Sequence, residues 1–184
     1  MTDCYFETPA AGIMKRAANI RLLGLDVDGV LTDGSVYIGE RGEALKAFHI
    51  HDGKGIRMLL DAGCEVALLT ARSSPAVDRR AEELGIRHVH QGQKDKWKTL
   101  AGLMAELGLA AERVAYVGDD LVDMGILTRV GLAVAVGDAH PAVAAGAHWQ
   151  TRRRGGTGAV REVCELILEA QGRLKSIIES HANG

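Results

Sequence analysis

Apolar residues in this chain fall into two kinds of pattern. One kind is a short, mostly apolar run, of which the first ends at an Asp and a Gly. Ile20 to Asp26 is such a run, as are Glu65 to Thr70 (EVALLT), Arg113 to Val117 (RVAYV) and Leu132 to Val136 (LAVAV). Runs of this length with turn residues at their ends read as strands buried on both faces. Ile86 to His90 is a shorter candidate of the same kind. Ser35 to Ile38 and Ala44 to Ile50 flank Gly39-Glu40-Arg41-Gly42 and read as a β-hairpin over about residues 35–50.

The other kind has helical spacing. Ile56, Leu59 and Leu60 share one side of a helix that stops near Gly63. Pro75 opens a helix that runs to Gly85, and Trp97, Leu100, Met104 and Leu107 mark one ending at Gly108. Gly158 to Gln171 closes the series with an amphipathic helix, and about 172–184 reads as a polar tail. Strands alternating with helices imply an α/β fold, a three-layer Rossmann-like arrangement of a mostly parallel sheet with helices on both faces. At 184 residues, one domain spanning 1–184 is expected.

Charge and composition narrow the partners. A net charge of -2 gives no electrostatic reason to bind nucleic acid or an anionic membrane. No apolar run approaches the roughly 18 residues that span a bilayer, and the acidic N-terminal segment with Asp3 and Glu7 does not resemble a signal peptide. Cys4, Cys64 and Cys164 are widely spaced, and the last two sit in apolar contexts. That usage fits a reducing compartment, so the cytoplasm is expected.

The chemistry begins where the first run ends. Asp26 and Asp28 stand one residue apart, followed by Gly29. Carboxylates that close either keep one group protonated or share a cation. Asp119 ends a later strand, so a third carboxylate reaches the same sheet edge, where α/β proteins bind ligands. Hard oxygen ligands in this number suit Mg²⁺ completed by a phosphate. The histidines and cysteines have no zinc spacing. Thr70 offers a hydroxyl at a strand end, and the amides of the following turn add donors. Lys96 supplies positive charge, although Lys94, Lys96 and Lys98 alternate and cannot all point inward. Asp120 and Asp123 either orient Lys96 or metal-bound water, or cap the next helix.

Gly24-Leu25-Asp26-Val27-Asp28-Gly29-Val30, Thr70, Lys96 and Gly118-Asp119-Asp120-Leu121-Val122-Asp123, in that order, resemble the four motifs of the haloacid dehalogenase-like phosphatases. The resemblance implies that Asp26 is the nucleophile and Asp28 the general acid and base. It gives Thr70, Ala71 and Lys96 to the phosphate, and Mg²⁺ to Asp26, Asp119 and the backbone carbonyl of Asp28. The spans between motifs leave no room for a cap domain, so a neighbouring subunit is expected to cover the substrate.

DVDGVLTDG, LKAFHIHDGKGIR, LLTAR, HQGQKDK, VAYVGDDLVD, VAVGDAHP and GGTGAVREVCELIL are closer still to one branch, the 3-deoxy-D-manno-octulosonate 8-phosphate phosphatases. That branch implies a homotetramer acting on a small sugar acid phosphate in lipopolysaccharide core synthesis. It also implies substrate contacts at His49, Ile50, His51, Asp52, Gly53, Arg57, Arg72 and Arg80. The rival readings are a phosphatase for a nine-carbon sugar acid phosphate and a binding module that keeps the fold without the activity.

Overall fold

The computed structural model describes residues 9–40 and 42–183. Asp3, Cys4, Glu7 and Arg41 lie outside the described residues. The elements in chain order are α1 (Ala11–Ala18), β1 (Leu22–Leu25), β2 (Tyr37–Gly39), β3 (Gly42–Leu45), α2 (Ile50–Asp61), β4 (Glu65–Leu69), α3 (Pro75–Leu84) and β5 (His88–His90). They continue with α4 (Lys96–Leu107), β6 (Val114–Gly118), α5 (Met124–Leu127), β7 (Leu132–Ala135), α6 (Pro141–Gly146), β8 (Trp149–Gln150), α7 (Ala159–Ala170) and α8 (Leu174–Asn183).

Six strands form one sheet in the order β5-β4-β1-β6-β7-β8, and every neighbouring pair is parallel. β2 and β3 pair antiparallel as a separate hairpin after the first core strand. The side chains of β1 divide by parity, as a pleated strand requires. Leu23 and Leu25 join Val66 and Leu68 under α2, α3 and α7, whereas Leu22 joins Ala67, Leu69 and Tyr116 under α4, α5 and α6. Leu22, Leu23 and Leu25 are wholly buried, each worth roughly 1.5–3 kcal/mol relative to exposure. The central strand is therefore a rigid platform for whatever its carboxyl end carries.

Three sequence expectations are corrected. Ala44 to Ile50 is not a strand: β3 ends at Leu45, and Ile50 opens α2 behind His49 as its N-cap. The segment 172–184 is not simply a polar tail, because Gly172 breaks the chain and α8 then buries Leu174 at 4% exposure. The N-terminal α1 and the two-residue β8 went unpredicted. Among the described residues, no helix is long and apolar enough to cross a membrane.

Candidate active site

The chain leaves β1 for β4 and β5 on one side, then returns to β6, β7 and β8 on the other. The crevice beyond the carboxyl ends of β4, β1 and β6 lies at this reversal. Thr70, Asp26 and Asp119 are the first residues past those three strands.

Asp26 is fixed before its side chain leaves the sheet, because its amide donates to the Val117 carbonyl at 3.1 Å. Its Oδ1 accepts from the Val27 amide at 2.6 Å, and its Oδ2 lies 2.7 Å from the Lys96 ammonium. The loop then turns at Gly29, whose φ is +88° and where a Cβ would lie 2.1 Å from Asp119 Oδ2. Only glycine lets Asp119 approach so closely.

Lys96 is the first residue of α4, and Asp95 caps that helix by accepting from the Lys98 amide at 3.0 Å. A cation at a helix N-terminus opposes the helix dipole. Burial also disfavours the ammonium, but Asp26 and Asp123 outweigh it and raise its pKa. Of the alternating lysines, Lys96 is buried and Lys94 and Lys98 are exposed. Asp123 is wholly buried and fully committed. Its Oδ1 accepts from Lys96 Nζ at 2.8 Å and from the Tyr116 hydroxyl at 2.9 Å; its Oδ2 accepts from the amides of Asp119 and Asp120 at 3.1 and 3.4 Å. Asp120, by contrast, is exposed and caps the short turn that follows, accepting from the Leu121 amide at 2.8 Å. Tyr116 is a site residue that the sequence reading missed. Its ring finds room because β1 carries Gly24, where a Cβ would sit 2.8 Å from Tyr116 Cδ2.

Asp26, Asp119 and Asp123 each offer an oxygen within 4.8 Å of the others. Burial, then Asp26, Asp123 and Asp120, push the Asp119 carboxyl up to about 7. Burial and then Asp123 raise Asp26 to about 6 against the pull of Lys96. Asp119 Oδ1 is buried without a hydrogen-bond partner. A divalent cation supplies what this cluster lacks: it partners that oxygen and relieves the repulsion. Because Asp123 is committed, Asp26 and Asp119 are the side chains with oxygen to give.

Asp28 occupies the outer side of the crevice. Lys46, just after β3, binds its Oδ1. Its Oδ2 accepts from Thr70 Oγ1 at 3.5 Å and lies 3.9 Å from Arg72 Nε. Thr70 is buried and also accepts from the Arg72 amide at 3.2 Å, while Ala71 is exposed. Lys46 is a second residue the sequence reading missed.

Beside Lys46 a cavity of 490 Å³ opens between the base of the hairpin and α3. Lys46, Phe48, Ser74, Arg79 and Arg80 are among its lining. Arg80 stands 6.0 Å over the Phe48 ring, pairs with Glu83 at 2.8 Å, and packs on Gly53, where a Cβ would lie 2.1 Å from its Nη2. His49 and His51 meet edge to face at 5.0 Å, and Ile50 is exposed. Two other expected substrate contacts have partners within the fold. Asp52 is buried and accepts from the Gly158 and Arg161 amides at 3.2 and 2.7 Å, so it ties α2 to the start of α7. Arg57 donates to the Leu84 carbonyl at 3.2 Å, at the C-terminal end of α3, and lies 3.9 Å from Asp61 with its side chain half exposed.

A parallel sheet bearing paired acids after its first strand, a Thr after its second, and a buried Lys braced by an acid from a third defines a haloacid dehalogenase-like hydrolase. The profile of that family matches residues 88–162. The 3-deoxy-D-manno-octulosonate 8-phosphate phosphatase of Yersinia pestis is 50% identical over 173 residues, which are 94% of this chain and 92% of the relative. That of Escherichia coli K12 is 51% identical over 174 residues, 95% of this chain and 92% of the relative. The Moraxella catarrhalis phosphatase of the same name, solved with a magnesium ion, a phosphate ion and KDO, superposes with a TM-score of 0.90 at 43% identity over 92% of this chain and 97% of that one. The chain belongs to the 3-deoxy-D-manno-octulosonate 8-phosphate phosphatase family.

Proposed function

We propose that this protein hydrolyses 3-deoxy-D-manno-octulosonate 8-phosphate to the free sugar acid and inorganic phosphate, with Mg²⁺ as cofactor. The observation that carries the reading is the set formed by Asp26, Lys96, Asp123 and the unpartnered Asp119 oxygen, in a chain about half identical to phosphatases of that name.

Asp26 attacks phosphorus and forms an aspartyl-phosphate, which splits one displacement into two. Asp28 gives a proton to the departing alkoxide, then takes one from the water that cleaves the intermediate. Lys96 and the Thr70 hydroxyl, with the amide of Ala71, stabilise the phosphoryl oxygens. Asp123 and Tyr116 keep the Lys96 ammonium aimed at that group. Mg²⁺, held by Asp26, Asp119 and the Asp28 carbonyl, supplies charge neutralisation on those oxygens when bound. Arg80 and Arg72 take the carboxylate of the sugar acid, with the segment His49 to Gly53 shaping the far wall of the cavity.

The hairpin exposes Val36, Tyr37, Ile38 and Leu45, and Ile38 is 79% exposed. That face supports association of copies of the chain, in a homotetramer that covers each active site. Buried free Cys64 and Cys164 fit a cytoplasmic protein, and the product enters lipopolysaccharide core synthesis.

The test is phosphate release from the eight-carbon substrate with Mg²⁺ and with EDTA, beside a nine-carbon sugar acid phosphate and an aryl phosphate. Preference for the eight-carbon ester, lost in EDTA, is expected. Activity on the nine-carbon ester alone would replace the substrate, and inactivity on all three would return the chain to a binding module.

A further inference from the structure

We infer that Lys46 is a positioning residue for Asp28: it aims the carboxyl that serves the leaving group, and so makes the hairpin part of the catalytic apparatus. The inference rests on the reaction proposed above and goes beyond it.

Lys46 follows the last residue of β3, on an arm that is otherwise exposed, yet its side chain is only 2% exposed. A lysine buried to that extent holds its charge by pairing, and its ammonium binds Asp28 Oδ1. The two Asp28 oxygens are held unequally. The contacts to Oδ2 are long, 3.5 Å to Thr70 and 3.9 Å to an Arg72 side chain that is 49% exposed. The contact to Oδ1 comes from a shielded ammonium, so Lys46 sets the rotation of the carboxyl about its last bond.

Position gives that rotation a consequence. Asp28 Oδ2 faces Thr70, the residue given to the phosphoryl group, while Lys46, which holds Oδ1, also lines the 490 Å³ cavity. Lys46 therefore joins the acid to the wall of the space open to the alcohol part of the ester. An acid misaimed by about 1 Å there loses much of its effect. A salt bridge that merely held the hairpin would have no preference among leaving groups.

The experiment compares kcat/KM of the full chain for the sugar 8-phosphate, an ester of a poor alkoxide leaving group, and for p-nitrophenyl phosphate, whose leaving group needs little protonation. It uses Lys46→Met, Lys46→Gln and Lys46→Arg. The Met and Gln variants should lose about tenfold to a hundredfold more on the sugar ester than on the aryl ester, within the range of general acid effects. Lys46→Arg should recover part of that difference. Thermal melting checks each fold, and Gln keeps a neutral hydrogen-bond donor at the site if Met does not fold. Equal losses on both esters, or no loss on the sugar ester, would overturn the role. If the wild type cleaves p-nitrophenyl phosphate but not the sugar ester, the substrate reading fails alone, and glycerol 2-phosphate takes the sugar arm so that Lys46 is still tested. A wild type inactive on every ester overturns both.

Discussion

The two ends of the crevice are built on different materials. At the phosphate end, Asp26, Asp119, Asp123, Tyr116 and Lys96 sit on or beside the central strands, and four donors converge on Asp123 alone. At the sugar end, Lys46, Phe48 and Arg80 come from a hairpin base and the middle of a helix, with Arg72 half exposed. The first is a closed network in which each group fixes another. The second is open and charged, with room left for a ligand. In the proposed reaction, chemistry common to phosphate esters falls to the sheet, and recognition of one alcohol falls to loop and helix residues at the surface.

The sharpest way to break the phosphate end is at the attacking oxygen. Asp26→Asn should lower turnover by at least about a thousandfold, with fold and assembly unchanged by circular dichroism and light scattering. Retained activity would remove the nucleophile. Next comes the brace. Asp123→Ala leaves Lys96 with one buried partner and strands the Tyr116 hydroxyl, so urea unfolding should show a loss of about 3–5 kcal/mol. Tyr116→Phe removes one hydrogen bond from the same carboxylate and should cost about 1 kcal/mol, with a smaller fall in turnover than Asp123→Ala.

Protons should compete with the metal at this end. The carboxyls of Asp119 and Asp26 are raised to about 7 and about 6 without a cation, from an ordinary 3.8. A raised carboxyl favours the folded state below its unfolded pKa, and that contribution disappears as pH rises through the folded value. The metal-free protein should therefore lose stability between about pH 4 and pH 7, and Mg²⁺ should restore most at pH 8. Titration calorimetry should find Mg²⁺ affinity falling from pH 8 to pH 6, with proton release on binding. Affinity independent of pH would contradict it.

The sugar end should answer differently. Arg80→Ala should raise KM for the sugar acid phosphate by about tenfold to a hundredfold, the value of a charge-assisted hydrogen bond, with a smaller effect on kcat. Arg57→Ala, which touches the far end of α3, should change KM less than Arg80→Ala does.

The same contrast explains what could be read from the sequence. Strands buried on both faces leave continuous apolar runs, so an acid at the end of one is conspicuous, and Asp26, Thr70 and Asp119 could be found from pattern and order. Lys96 was picked from its alternating neighbours by the order of the motifs and not by pattern, since burial is what separates the three and burial is a tertiary property. Tyr116 was hidden in an apolar strand, although a phenol placed two residues before Gly118 is the kind of residue that needs a partner when buried. Lys46 was hidden because no periodicity links a hairpin base to a loop eighteen residues earlier. Asp52 and Arg57 were assigned by resemblance, and their contacts depend on how α2 packs on α7 and α3, which local pattern does not encode.

The most direct test of the account is to quench the Mg²⁺-loaded enzyme during turnover of the eight-carbon sugar acid phosphate, reduce it with borohydride, and sequence its peptides by mass spectrometry. The account predicts homoserine at position 26, the reduction product of an acyl phosphate on Asp26. Turnover with no reduced residue, or with the reduced residue at Asp28 or Asp119, would contradict it.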